Sequence, residues 1–175
     1  EFSSFARMPS AAPEPQNLAA VVREATVLQR VSSSDIDIEL EVRGGEFVSP
    51  FDRRLITQGI TNLVKNAREA IESRQQSQPE PRGRILVEAG LEQGHPFVRV
   101  TDNGVGLPKE NRHRLAEPYM TTREKGTGLG LAIVKRIMEE HGGRLVLEDV
   151  PSTDGATGAR VTLLFDQVPV TMEEA

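Results

Sequence analysis

Cysteine is absent from all 175 residues, which excludes disulfide scaffolds, cysteine-ligated zinc, iron–sulfur clusters and cysteine nucleophiles. Tryptophan is absent too, and one tyrosine with six phenylalanines is too few for the aromatic platforms on which single-stranded nucleic acids stack. No apolar run approaches the roughly 20 residues of a membrane-spanning helix, and no secretory leader pattern is present. A basic excess is also missing. The balance of 21 Lys+Arg against 26 Asp+Glu gives a net charge of −5, which argues against a dominant non-specific nucleic-acid role. What is there, 37% apolar and 27% charged residues, is ordinary for one globular domain. The chain begins with Glu1 rather than Met and reads as a piece of something longer.

Phe2, Phe5 and Met8 have helical spacing, and Pro9, Pro13 and Pro15 then impose extended backbone, so residues 1–16 read as a helix end followed by a linker. A helix is expected next, capped by Asn17, with Leu18, Val21, Val22, Ala25 and Leu28 as its apolar stripe and serines 32–34 at its end. Strict alternation over 36–42 predicts a half-buried strand, and Gly44-Gly45 a turn. A long helix follows from about Phe51 to Arg74, with Ile56, Ile60, Leu63, Ala67 and Ile71 along one face. After a polar loop at 75–83 come strands near 84–91 and 96–102, split by a turn at Gln93-Gly94-His95-Pro96. From Asp102 to Gly130 the chain is glycine-rich with little periodicity, as functional or mobile segments are. A largely buried helix over 129–141, stopped by Gly142-Gly143, precedes strands at 144–149 and 159–166, and residues 168–175 form a polar tail. The order gives an α+β fold, with helices on one side of a mixed sheet.

Three groups of residues stand out. Asn62 and Asn66 are four apart and share a helix face bordering the apolar stripe. They are either amides tolerated at a helix boundary or ligands, since an amide oxygen is a hard neutral donor suited to Mg²⁺ already held by phosphates and water. Asp102-Asn103-Gly104-Val105-Gly106 follows a strand. It is either a turn or the floor of a cleft, where a carboxylate accepts from an exocyclic amine and glycines let a flat ring approach the backbone. Spacing excludes an EF-hand, because Gly104 and Gly106 fall where ligands are needed. Gly126-Thr127-Gly128-Leu129-Gly130-Leu131 opens a helix. It is either a capping cluster or an anion site made of free N–H groups. GxGxG after a loop is not the dinucleotide fingerprint, and no P-loop pattern is present.

Taken together, NLVKNAREAI, DNGVG, EPYMTTREKGTGLGL and HGGRLVL…GARVTLLF resemble the N, G1, F and G2 boxes of the ATP-binding domain of sensor histidine kinases, in the gyrase–Hsp90–MutL superfamily. The resemblance covers about residues 17–167, in the family's order, and EFSSFARMP resembles the end of the dimerisation hairpin of NtrY-type nitrogen-regulation kinases. It implies a two-layer sandwich of a mixed, mostly antiparallel sheet covered on one face by helices. It also implies ATP and Mg²⁺ as cofactors. Asn66 would bind Mg²⁺ with Asn62 in support, and Asp102 would accept from the adenine amine in a pocket shaped by Gly104 and Gly106. Residues 107–125 would be a lid, with Thr121, Thr122, Arg123 and Lys125 at the nucleotide. Gly126, Thr127, Gly128, Leu129, Gly130 and Leu131 would bring the backbone to the phosphates.

Implied partners are the chain's own dimerisation domain in a homodimer and an NtrX-like response regulator, with no nucleic acid and with this piece itself monomeric. The implied location is the cytoplasmic side of an inner-membrane-anchored bacterial kinase. Two departures stand out: Glu69 occupies a position where many relatives carry Lys, and Asn62 one where gyrase-like branches carry the water-activating Glu. The alternative assignment within the superfamily is an anti-sigma-type serine kinase; a module that keeps the fold without turnover is disfavoured by intact Asn66, Asp102 and glycines. His95 in a turn, His113 in the lid and His141 at a helix end all lack the phosphoacceptor context, so the chain is expected to bind nucleotide without phosphorylating itself.

Overall fold

A computed structural model describes residues 6–119, 129–151 and 156–171. In chain order the elements are β1 (Glu14–Asn17), α1 (Leu18–Val31), β2 (Asp37–Val42), β3 (Phe47–Phe51), α2 (Arg53–Gln75), β4 (Arg84–Glu92), β5 (His95–Asp102), α3 (Gly130–Glu140), β6 (Gly143–Asp149), β7 (Ala159–Phe165) and β8 (Val170–Thr171). Five strands form one sheet in the order β2-β4-β5-β7-β6, parallel only between β2 and β4. Strand alternation sends Ile38, Ile85, Val87, Ala89, Val98, Val100 and Leu163 to one face, where they pack with the apolar faces of α1, α2 and α3. The other face carries cross-strand charge, including Arg84–Glu39 and Arg99 with Glu92 and Thr162. This is the α+β, two-layer arrangement expected.

Asn17 caps α1 as anticipated, its Oδ1 accepting from the Ala20 N–H at 3.2 Å. Leu28, expected in the apolar stripe, is 61% exposed, while Thr26 is buried in its stead. At about 100° per residue the buried arc runs from Val21 to Ala19, and Leu28 falls just past its edge. The Thr26 hydroxyl satisfies itself in the core by donating to the Val22 carbonyl at 2.7 Å.

The three-stranded sheet β1-β3-β8 is absent from the sequence expectations. Residues 14–17 are extended, as Pro15 and the preceding Pro13 demand, but they pair with β3 rather than run free, with Pro15 facing Pro50. Phe51, expected to open the long helix, ends β3 instead and is buried against Phe165, ring centroids 4.9 Å apart. Met8 is buried in the core. The turn expected over 93–96 is tighter: Gln93 and Gly94 both take positive φ, and His95 and Pro96 already pair with Glu92 and Leu91.

The long helix starts one residue after Asp52, which is 3% exposed. Its Oδ1 accepts from the N–H groups of Arg54 (3.1 Å) and Leu55 (3.3 Å). Its Oδ2 accepts from the Ala12 N–H (2.9 Å) and the Arg54 guanidinium (3.2 Å). Burial alone would raise this carboxyl, but the Ala12, Arg54 and Leu55 bonds outweigh it and hold it below the usual carboxylate range. Asp52→Ala is therefore expected to cost roughly 2–4 kcal/mol in urea denaturation at neutral pH, from a lost cap plus buried donors left unpaired. A lowered carboxyl stabilises the fold above the ordinary carboxylate range and stops doing so as pH falls through its lowered value. The stability difference between the natural chain and Asp52→Asn should thus shrink below about pH 4. A difference independent of pH would show that the carboxylate charge has no part in it.

Candidate nucleotide-binding site

Helix α2 connects the sequence-predicted groups. Asn62 and Asn66 are half-buried on it, and Ala70, about 6 Å farther along the axis than Asn66, meets the Asp102–Gly106 turn. Gly104 sits so close to Ala70 that a Cβ at Gly104 would lie 2.5 Å from the Ala70 carbonyl carbon. Only glycine fits there. Val105 donates its N–H to the Ala70 carbonyl at 3.1 Å. At the turn's start Asp102 is 8% exposed, and its Oδ1 accepts from the N–H of Gly104 (2.8 Å) and of Ala159 (3.4 Å).

The start of α3 lies against the other end of this stretch. A Cβ built on Gly130 would come within 3.4 Å of Asn66 Oδ1, so the amide oxygen stands beside the first turn of α3. The capping residue Leu129 is buried, and its side chain has no oxygen with which to cap the first N–H groups of that turn. Leu131 is half-buried. The structure thus brings Asn66 and Gly130 together, with Leu129 next to Gly130 in the chain, and sets Gly104 against α2 one turn further on, with Asp102 at the head of the same turn and Gly106 beside Gly158. Thr121, Thr122, Arg123, Lys125, Gly126, Thr127 and Gly128 lie outside the described residues.

The described part of the expected lid contains one 3-10 turn, Arg112–Arg114. Arg112 fixes it to the end of β6 through two 2.8 Å bonds to Asp149, and donates a third bond to the Pro108 carbonyl within the same segment. The pairing lowers the Asp149 carboxyl and raises the Arg112 guanidinium.

Arg74 and Thr157, neither singled out in the sequence, hold the Asp102 turn together with Asn103, which stood in the Asp102 group without a role of its own. Arg74 is buried and donates to the carbonyls of Asn103 (2.7 Å), Gln78 (2.8 Å) and Pro81 (2.6 Å). Asn103 ties the turn to the Arg84 N–H and the Arg82 carbonyl. Thr157 Oγ1 donates to the Gly104 carbonyl at 2.6 Å. Arg74 had a sequence signal, a cation at the end of an apolar helix followed by a loop rich in carbonyls; Thr157 had none. His141, by contrast, is buried at the C-terminus of α3. Its Nε2 accepts from the Asp52 N–H at 3.0 Å, which leaves Nδ1 to donate to the Ile137 carbonyl at 2.7 Å. Among the described residues no three His, Asp or Glu side chains are grouped to hold a metal ion.

A family model described as histidine kinase-, DNA gyrase B- and HSP90-like ATPase matches residues 51–169. The nitrogen regulation protein NtrY of Azorhizobium caulinodans is 49% identical over 158 residues, 89% of this chain and 20% of that protein. A putative NtrY-like sensor histidine kinase of Rickettsia conorii is 37% identical, over 95% of this chain and 26% of that one. The chain therefore spans about a quarter or less of these curated relatives. Among solved structures, the mycobacterial sensor histidine kinase MprB is 26% identical with a TM-score of 0.74, over 91% of this chain and 99% of that one. With the model matched over more than half of its residues, and with that fold, the chain belongs to the histidine kinase-, DNA gyrase B- and HSP90-like ATPases.

Proposed function

We propose that this chain is the ATP-binding catalytic domain of a two-component sensor histidine kinase, binding Mg-ATP and donating the γ-phosphoryl group to a histidine on a separate dimerisation domain. One observation supports it most: along a single helix, an amide oxygen at Asn66 faces the start of α3, and one turn later the backbone seats the Asp102 turn. The Asp102 carboxylate then accepts from the adenine amine while the start of α3 receives phosphate oxygens on its N–H groups. Gly104 and Gly106 keep side chains out of the purine's way, with Asn62 supporting Asn66.

Magnesium fits this donor set. Mg²⁺ keeps most of its coordination for water and phosphate, so one neutral oxygen beside a phosphate-binding helix end is sufficient protein ligation. Asn66 would hold it, and when bound it neutralises charge on the transferring phosphates. If so, Asn66→Ala should weaken ATP binding at least tenfold in magnesium but barely in EDTA, by calorimetric titration. Equal losses in both conditions would assign Asn66 a structural part only.

The acceptor belongs to another domain. His141 has both ring nitrogens engaged, which leaves it no nitrogen with which to attack a phosphoryl group. Asn62, where a water-activating Glu would stand, offers no base, which favours transfer over hydrolysis. The wider protein is then a homodimer whose phosphohistidine passes its group to a response regulator of the NtrX type in nitrogen-related signalling. It would be anchored in a bacterial inner membrane with this domain on the cytoplasmic side.

A further inference from the structure

The turn that carries Asp102 is clamped peptide by peptide. In the Asn103–Gly104 unit, the carbonyl accepts from Arg74 Nε at 2.7 Å and the N–H donates to Asp102 Oδ1 at 2.8 Å. In the Gly104–Val105 unit, the N–H donates to the Ala70 carbonyl at 3.1 Å and the carbonyl accepts from Thr157 Oγ1 at 2.6 Å. The C=O and N–H of a trans peptide point in opposite directions. The second unit is therefore stapled between α2 on one side and the residues leading into β7 on the other. Gly158 completes that side: a Cβ there would lie 2.1 Å from the Asp102 carbonyl oxygen. The next residue, Ala159, sends its N–H to Asp102 Oδ1.

Among these anchors Thr157 is distinctive. Ala70 acts through backbone, and Arg74 is buried and also secures the 76–83 loop. Thr157 is an exposed side chain with one hydroxyl in the clamp, so the hydroxyl can be removed without opening a cavity in the core.

We infer that Thr157 is a positioning residue for base recognition: by holding the Gly104 carbonyl it fixes the plane of the turn, and hence the direction of the Asp102 carboxylate toward the 6-amino group of adenine. This deepens the proposed ATP-binding reading and rests on it. If the Gly104–Val105 peptide rotates, the backbone at Gly104 turns with it, the neighbouring Asn103–Gly104 unit no longer holds its N–H on Oδ1, and the carboxylate loses its aim. A purine lacking the 6-amino group gains nothing from that aim and loses nothing with it.

The test compares ATP with inosine triphosphate, by calorimetry in magnesium, on the natural chain, Thr157→Val and Thr157→Ser. Val keeps the shape without the hydroxyl, and Ser keeps the hydroxyl. One neutral hydrogen bond corresponds to about a 3- to 10-fold change in affinity. Thr157→Val should weaken ATP by about that factor and leave inosine triphosphate unchanged, so that their ratio narrows. Thr157→Ser should restore the ratio, and all three chains should melt within about 3 °C of one another. An unchanged ratio in Thr157→Val, or equal loss for both nucleotides, overturns the role of Thr157 while the natural chain's preference for ATP leaves the wider reading intact. A natural chain that binds neither nucleotide overturns both.

Discussion

Asp102→Asn is expected to abolish measurable ATP binding while leaving the fold in place. Asp102 Oδ1 already serves two backbone donors, Gly104 and Ala159. An asparagine can keep those bonds only by putting its carbonyl oxygen at that position, which turns its NH₂ toward the amine it must receive. Flipped the other way, the NH₂ confronts the Gly104 N–H instead. Both orientations set donor against donor. The lost charge-assisted bond alone is worth roughly 1.5–3 kcal/mol, about 10- to 150-fold in affinity, and the donor conflict adds to it. The substitution is isosteric and Asp102 lies at a strand end, so the melting temperature should move only a few degrees. Calorimetry with circular dichroism separates the two effects. Wild-type affinity in a folded Asp102→Asn chain would remove Asp102 from base recognition.

Most elements that carry this site were legible because local signals and tertiary demands agree. The 36–42 alternation, the stripe from Ile56 to Ile71 and the double apolar face of α3 each match a burial pattern. Asn66, Asp102 and Gly104 were legible for a different reason: a residue type that is poor for its local structure signals a contact that local structure does not supply. The β1-β3-β8 sheet was not legible. Its strands are short, two contain proline, and their partners are far apart in sequence, as Glu14 with Phe51 and Phe47 with Thr171. Nothing within such a short window distinguishes a proline-bearing paired strand from a linker. Phe51 was misplaced for the same reason: it sits next to a helix start whose true cap, Asp52, is fixed by a contact from Ala12, forty residues upstream. Thr157 escaped because one threonine in a polar loop resembles any other until its hydroxyl is seen on Gly104. The contact of Gly130 with Asn66 likewise requires the packing of two helices.

On the proposed function the nucleotide site and its acceptor are separate, and phosphoryl transfer is mostly positioning and charge neutralisation, so a complete site achieves nothing without an oriented acceptor. His141 is bonded at both nitrogens; on the proposed reading the acceptor lies on another domain, and Asn62 offers no base for water. The most direct measurement is labelling from γ-labelled ATP, with this chain alone and with the separate helix-hairpin dimerisation domain of the same kinase added in trans. The chain alone should take up negligible label and hydrolyse ATP very slowly. Added hairpin should become labelled on its histidine, weakly, because without a tether the effective concentration falls from the roughly millimolar level that a short linker provides. Asp102→Asn in the same assay should transfer nothing. Stoichiometric labelling of this chain by itself, at His141 or elsewhere, would contradict the account, as would a hairpin that stays unlabelled beside a chain that binds Mg-ATP.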